Sequence, residues 1–203
     1  MSGRLRMALP PILTLRAKAC NVYGNEVPFL SLVVQYQTQD RLHVEMLPRY
    51  LGPKNSTWFV LPEELVPKPA FPGISPDISR RTTGDVLFST KGSKLVYEDQ
   101  FFELVVPLPE KYNLYGLGEV IHSFRLGNNL TRTMYAADAG TPVDRNIYGT
   151  HPHLLGNTFT SPTEIEYTAS THGVFLRNVH GQEVLLREPG ITWRSLGGTI
   201  DLY

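Results

Sequence analysis

"LSLVVQYQTQDRLHVEM", residues 30–46, decides the architecture. Leu30, Leu32, Val34 and Tyr36 alternate with Ser31, Val33, Gln35 and Gln37. After a short Thr38-Gln39-Asp40 link, Leu42, Val44 and Met46 alternate with His43 and Glu45. A period of two belongs to a half-buried strand, whose successive side chains point to opposite faces. Two such runs joined by a short polar link predict a β-hairpin.

The same signal recurs along the chain. Strands are expected at 86–89, 95–97, 101–106, 131–136, 164–168, 173–178, 183–187 and 191–195, with a Lys91-Gly92-Ser93 turn between the first two and Pro107 closing the third. No stretch carries the period of an amphipathic helix three turns long, and at most one helical turn fits residues 62–65. From Gly52 to Arg81, six prolines (Pro53, Pro62, Pro67, Pro69, Pro72 and Pro76) read as a long surface connection, since proline lacks a backbone donor and fixes φ. The 17 glycines and 16 prolines are spread through the chain, which suits short strands joined by tight turns. The expected fold class is all-β, a β-sandwich: one domain over residues 12–203 after an irregular arm, 1–11. The last residues, 197–203, begin another alternation, read as an apolar strand that continues further or ends against a partner chain.

Charge narrows the partners. Lys and Arg number 19 against 19 Asp and Glu, so no basic excess can neutralise a phosphate backbone or hold a membrane surface. Nucleic acid and membrane are not expected partners. Arg4 and Arg6 precede an apolar patch, but Pro10-Pro11 breaks it and Arg16 and Lys18 follow. Neither a complete signal peptide nor a transmembrane helix is read there. The single cysteine, Cys20, makes no internal disulfide and is read as a buried thiol or a bridge to another chain. Asn55-Ser56-Thr57 and Asn129-Leu130-Thr131 are glycosylation sequons if the chain is secreted.

Most chemical motifs are missing. "NLYGLGEV", residues 113–120, lacks the third glycine and the following helix of a dinucleotide fingerprint, and no Gly-Lys-Ser/Thr phosphate loop occurs. His151-Pro152-His153 sets two imidazoles on one strand face, yet no third ligand lies near in sequence, so surface or packing histidines are the simpler reading. No metal and no cofactor are expected. There is no Gly-x-Ser-x-Gly elbow. Glu119, Asp138, Asp144 and Asp201 could supply the paired carboxyls of a glycosidase, about 5 to 9 Å apart, but spacing selects no pair and solvated acids are the ordinary explanation.

Several stretches in order carry a resemblance: Cys20-Asn21-Val22-Tyr23-Gly24, "VQYQTQDRLHVEML" (34–47), "LVYEDQFFEL" (95–104), "NLYGLGE" (113–119), "TRTMYAADAGTPVDRNIYGTHP" (131–152), "THGVFLRN" (171–178) and "ITWRSLGGTIDLY" (191–203). Together they resemble the N-terminal domain of glycoside hydrolase family 31, nearest to the secreted fungal and plant α-glucosidases. The resemblance implies a galactose-mutarotase-like β-sandwich ahead of a catalytic (β/α)8 barrel. It places the nucleophile and the acid/base in that barrel, outside these residues, so no catalytic residue is assigned. The implied reaction is retaining hydrolysis of terminal non-reducing α-linked glucose.

The resemblance also implies a role for Asp138-Ala139-Gly140-Thr141-Pro142, a loop that reaches the barrel mouth and helps hold the leaving sugar. Asp138 and Thr141 are then the substrate-binding residues. Relatives carry a polar-Arg pair before this aspartate, where this chain has Ala136-Ala137, and a histidine after the glutamate, where it has Val120-Ile121-His122. Glu119 is read as a structural or interface acid, with glycines beside it for close backbone approach. The implied partners are the barrel portion and α-glucosides such as maltose. Two alternatives stand beside this: a free-standing carbohydrate-binding sandwich that stacks sugar on Tyr50, Trp58, Tyr135 or Trp193, and an aldose epimerase built on a histidine–carboxylate pair.

Overall fold

In a computed structural model the hairpin read from residues 30–46 is β2 (Phe29–Thr38) and β3 (Arg41–Pro48), antiparallel, with Leu32 opposite Met46 and Val34 opposite Val44. The structure describes residues 11–16, 23–38, 41–50, 94–108, 112–160, 168–188 and 190–203. Residues 1–10 of the arm, Cys20, Asn55, Trp58, the proline-rich connection, the strand expected at 86–89 and its turn at 91–93 lie outside the described residues.

Ten further strands are β1 (Ile12–Thr14), β4 (Leu95–Glu98), β5 (Phe101–Pro107), β6 (Asn113–Gly116), β7 (Asn129–Met134), β8 (His153–Thr160), β9 (Thr168–Phe175), β10 (Gln182–Arg187), β11 (Gly190–Ser195) and β12 (Ile200–Leu202). They form three sheets, ordered β1-β2-β3-β12, β4-β5-β11-β10-β7 and β6-β8-β9, and every strand pair is antiparallel. No helix occurs among the described residues. The fold is all-β, as the alternation requires.

Four expectations are corrected. The strand expected at 131–136 starts earlier, at Asn129, and ends at Met134. The strand expected at 173–178 is the end of β9, which starts at Thr168 and stops at Phe175, where its residue-for-residue pairing with β8 ends; of the strand expected at 164–168, residues 164–167 lie outside the described residues. β6 and β8 were not expected from the pattern, since Gly156, Asn157, Thr158 and Thr160 dilute the apolar alternation of β8. Val34 is 52% exposed although its phase assigns it to the core, while His43, on the opposite face, is buried.

One core serves all three sheets. Phe102, Leu104 and Val106 of β5, Ile191 and Trp193 of β11, and Val184 and Leu186 of β10 are buried with Leu30, Met46, Ile200 and Leu202 of the first sheet and Leu114 and Leu154 of the third. Each such side chain contributes about 1.5–3 kcal/mol when fully buried. In β5, β10 and β11 burial alternates strictly, so the second sheet has one apolar inner face and one outer face of the other phase.

β12 joins the first sheet to the third. It pairs with β3, and on its other side Phe175 and Tyr203 exchange backbone hydrogen bonds of 2.9 and 3.0 Å while the Arg177 amide donates to the Asp201 carbonyl at 2.8 Å. The stretch read as an unfinished strand therefore has both backbone partners within the chain. It is entered through a turn that four side-chain hydrogen bonds hold. Tyr97 Oη donates to the Gly198 carbonyl (3.0 Å), Ser195 Oγ to that of Gly197 (2.9 Å), and Asn178 Nδ2 to those of Gly197 (2.9 Å) and Thr199 (3.3 Å).

Gly198 sits in this turn at φ +79°, and a Cβ there would lie 2.6 Å from Asn178 Nδ2. Gly198→Ala is expected to cost about 1–3 kcal/mol, combining left-handed strain with that clash. Gly127→Ala, where a Cβ meets nothing within 4 Å, stays within about 0.5 kcal/mol of the parent. Thermal melts of both variants check this; equal melting temperatures would refute the role given to the turn.

Candidate functional site

The opening glycines of "YGLGE" have different jobs. Gly116, at φ +109°, ends β6 where a Cβ would strike the His153 carbonyl, so only glycine fits against β8. A Cβ on Gly118 would meet nothing within 4 Å. Close approach therefore explains the first glycine alone. Between them Leu117 is fully buried, and its amide donates to the His153 carbonyl at 3.0 Å. Glu119 is exposed, its carboxylate against Gly149.

Asp138 and Thr141 lie on the loop that follows β7, and both are exposed. The base of the loop is braced. The Tyr135 amide donates to Asn146 Oδ1 at 3.1 Å, Asn146 Nδ2 donates back to the Tyr135 carbonyl, and the Ala137 amide donates to the Ile147 carbonyl at 2.7 Å. Further along, the Asp144 amide donates to the Ile121 carbonyl (2.9 Å), and Arg132 Nη2 reaches Asp144 Oδ1 at 3.4 Å. At the tip only a backbone bond, Ala139 to Ala137, is made. Among the described residues neither the Asp138 carboxylate nor the Thr141 hydroxyl takes a hydrogen bond from the loop.

The four candidate acids do not share one environment. Asp138 and Glu119 are exposed and Asp144 faces Arg132. Asp201 corrects the expectation of a solvated acid: it is 2% exposed, its Oδ1 2.7 Å from His43 Nε2 and its Oδ2 accepting from Arg177 Nη1 at 2.9 Å. The Tyr203 ring stacks on His43, centroids 4.6 Å apart. β8 begins at His153, leaving His151 ahead of the strand, and among the described residues no three His, Cys, Asp or Glu side chains group to hold a metal.

One member of the expected sugar platform is corrected. Trp193 is 2% exposed, locked in the core by the inward phase of β11, whereas Tyr50 and Tyr135 are open to solvent. A row that sequence reading missed crosses the outer face of the second sheet. Thr133 faces Glu183, Glu183 faces Arg194, Arg194 faces Glu103, and Glu103 faces Val96. Arg194 Nε donates to Glu103 Oε2 at 2.7 Å and Nη1 to Glu183 Oε2 at 3.3 Å. These bonds, that of Glu103 first, raise the Arg194 pKa beyond its already high value. The row floors a cleft of about 640 Å³ walled by Tyr23 and Phe101 on one side and Tyr135 and Ala137 on the other. No histidine is among its described lining residues, so the histidine–carboxylate pair of an epimerase is not assembled there.

Comparison with known proteins now decides the relationship. An α-glucosidase of Aspergillus oryzae is 44% identical over 224 residues, covering 94% of this chain and 23% of the relative. An α-glucosidase of Aspergillus niger is 42% identical and a family 31 glucosidase of Schizosaccharomyces pombe 40% identical over similar spans. The chain is homologous to the N-terminal portion of the family 31 glucosidases. It spans about a quarter of the length of these curated relatives. No protein-family model matches it. An α-1,4-glucan lyase of Gracilariopsis lemaneiformis superposes over 86% of this chain and 24% of its own, with TM-score 0.56 at 14% identity, a likeness of fold.

Asp201 has a testable pH signature. Burial pushes its carboxyl up, but hydrogen bonds from His43 and Arg177, with their charges, outweigh it and hold the pKa below the ordinary value. With the folded value depressed, the contribution is complete above the unfolded carboxyl pKa of about 3.9. It is lost as pH falls through the lower folded value. Asp201→Asn is expected to lower stability near neutrality by about 3 kcal/mol and to flatten the acid limb of the stability profile. Melts across the acid range check both, and a variant as stable as the parent at pH 7 would contradict this.

Proposed function

We propose that this chain is the N-terminal β-sandwich portion, over residues 12–203, of a secreted retaining α-glucosidase that removes terminal non-reducing α-linked glucose. The observation that carries the proposal is the 44% identity to an α-glucosidase over 94% of this chain, within 23% of that enzyme. The sandwich supports a catalytic (β/α)8 barrel that brings both catalytic carboxyls, and the covalent glycosyl intermediate forms there. Asp138 and Thr141 hydrogen-bond the leaving sugar: their loop is braced at its base, and neither side chain is engaged within the described residues. Asn129, exposed at the start of β7, and Asn55 carry glycans.

The barrel covers an apolar surface beside this loop. Phe124 is 85% exposed, and Ile121, Val143 and Tyr148, on the segments flanking the loop in sequence, are exposed as well. A β-bridge pairs Ile121 with Val143, and the Phe124 ring packs on Tyr115 with centroids 4.9 Å apart. Grouped exposed apolar side chains of this kind mark protein contacts.

Co-expression with the barrel portion of the Aspergillus oryzae relative tests the reading. The pair is expected to hydrolyse maltose and the chain alone to release no glucose; turnover by the chain alone would end the proposal. In the pair, Asp138→Ala is expected to lower kcat/KM for maltose about tenfold or more, the loss of a charge-assisted hydrogen bond, with no change in the chain's melting temperature. Phe124→Asp is expected to weaken copurification of the two parts, measured by pull-down. An Asp138→Ala pair with parental kcat/KM would remove the loop from the sugar site.

A further inference from the structure

We infer that the cleft on the outer face of the five-stranded sheet binds a neutral sugar ring, at a site separate from the loop of Asp138 and Thr141. Its volume, about 640 Å³, is that of small-molecule sites. Its floor is Glu103, Arg194 and Glu183, side by side in register. Each carboxylate spends one oxygen, Oε2, on the guanidinium. The other oxygen of each, and Arg194 Nη2, have no partner among the described residues. The floor thus offers two acceptors and a donor between them, fixed by the planar guanidinium, which suits hydroxyls that both donate and accept.

Deeper in the wall Glu98, 2% exposed, shares the outer-face phase of Val96 and Glu103. Its Oε2 accepts the Tyr23 amide at 3.0 Å, and its Oε1 is buried with no hydrogen-bond partner among the described residues. An unpaired buried acceptor is costly, and a ligand hydroxyl that donates to it relieves that cost.

Charge and shape then select the ligand class. Three carboxyl side chains against one guanidinium line the cleft, which disfavours phosphates and carboxylates. Tyr135, 65% exposed, stands on one side; Tyr23 and Phe101, ring centroids 4.5 Å apart, stand on the other. Aromatic walls accept the C–H faces of a ring whose rim is hydroxylated. A neutral pyranose unit presents that combination.

Saturation-transfer NMR and calorimetry on the 203-residue chain, with maltotriose as the neutral probe and spermidine and glucose 6-phosphate as charged probes, test this. Transfer to the ring protons of maltotriose is expected, with glucose 6-phosphate weaker. Tyr135→Ala is expected to weaken maltotriose about tenfold at an unchanged melting temperature. Ala137→Arg, which fills the opposite end of that wall, is expected to do the same without removing any ring. Absence of transfer overturns the inference, as does full binding by both variants or preference for spermidine. Loss of binding in Asp138→Ala with Tyr135→Ala intact also overturns it, by placing the sugar on the loop. The assay needs no barrel, so its failure leaves the proposed α-glucosidase role to its own test.

Discussion

The buried carboxylate of Asp201 is the constraint around which the sheets are arranged. It lies on β12, between β3, which brings His43, and the segment after β9, which brings Arg177. Those two donors are themselves buried, so removing the acceptor takes from each its bond to a carboxylate. Because β12 is hydrogen-bonded on its two sides, the first and third sheets are continuous through it. The five-stranded sheet then closes the sandwich by packing, through Trp193, Phe102 and Val184.

That packing fixes the chemistry of the opposite face. Strand phase allows no independent choice: once Trp193 points to the core, Arg194 points away from it, and the same holds for Leu104 with Glu103 and Val184 with Glu183. The core beneath therefore decides which side chains form the cleft floor. β7 extends the frame outward, from Thr133 on the floor through Tyr135 in the wall to the loop of Asp138. The paired bonds between Tyr135 and Asn146 hold wall and loop base together.

Local pattern made the strands legible wherever apolar and polar residues alternate cleanly, as in β2, β3, β5, β10 and β11. It failed in β8, where Gly156 and a polar end hide the period, and it misplaced Val34. Neighbours across sheets were not legible. Glu103, Glu183 and Arg194 each look like one polar residue on the wet side of a strand, and only the order β5-β11-β10 makes them a row. Asp201 looked solvated because its partners are 158 and 24 residues away. The family resemblance rested on ordered motifs whose structural reasons now differ: Gly116 for backbone approach, Gly198 for a left-handed turn, Asp201 for a buried ion cluster.

The carboxylates of the cleft differ in kind from those of a glycosidase. Hydrolysis needs two acids whose surroundings drive them apart, one kept protonated to donate and one ionised to attack or to activate water. Glu103 and Glu183 flank the same guanidinium, each through one oxygen, in the same register row and on the same solvent-facing side. Nothing in that symmetry distinguishes an acid from a base. What it supplies is a set of hydrogen-bonding groups at fixed spacing, a property that serves recognition.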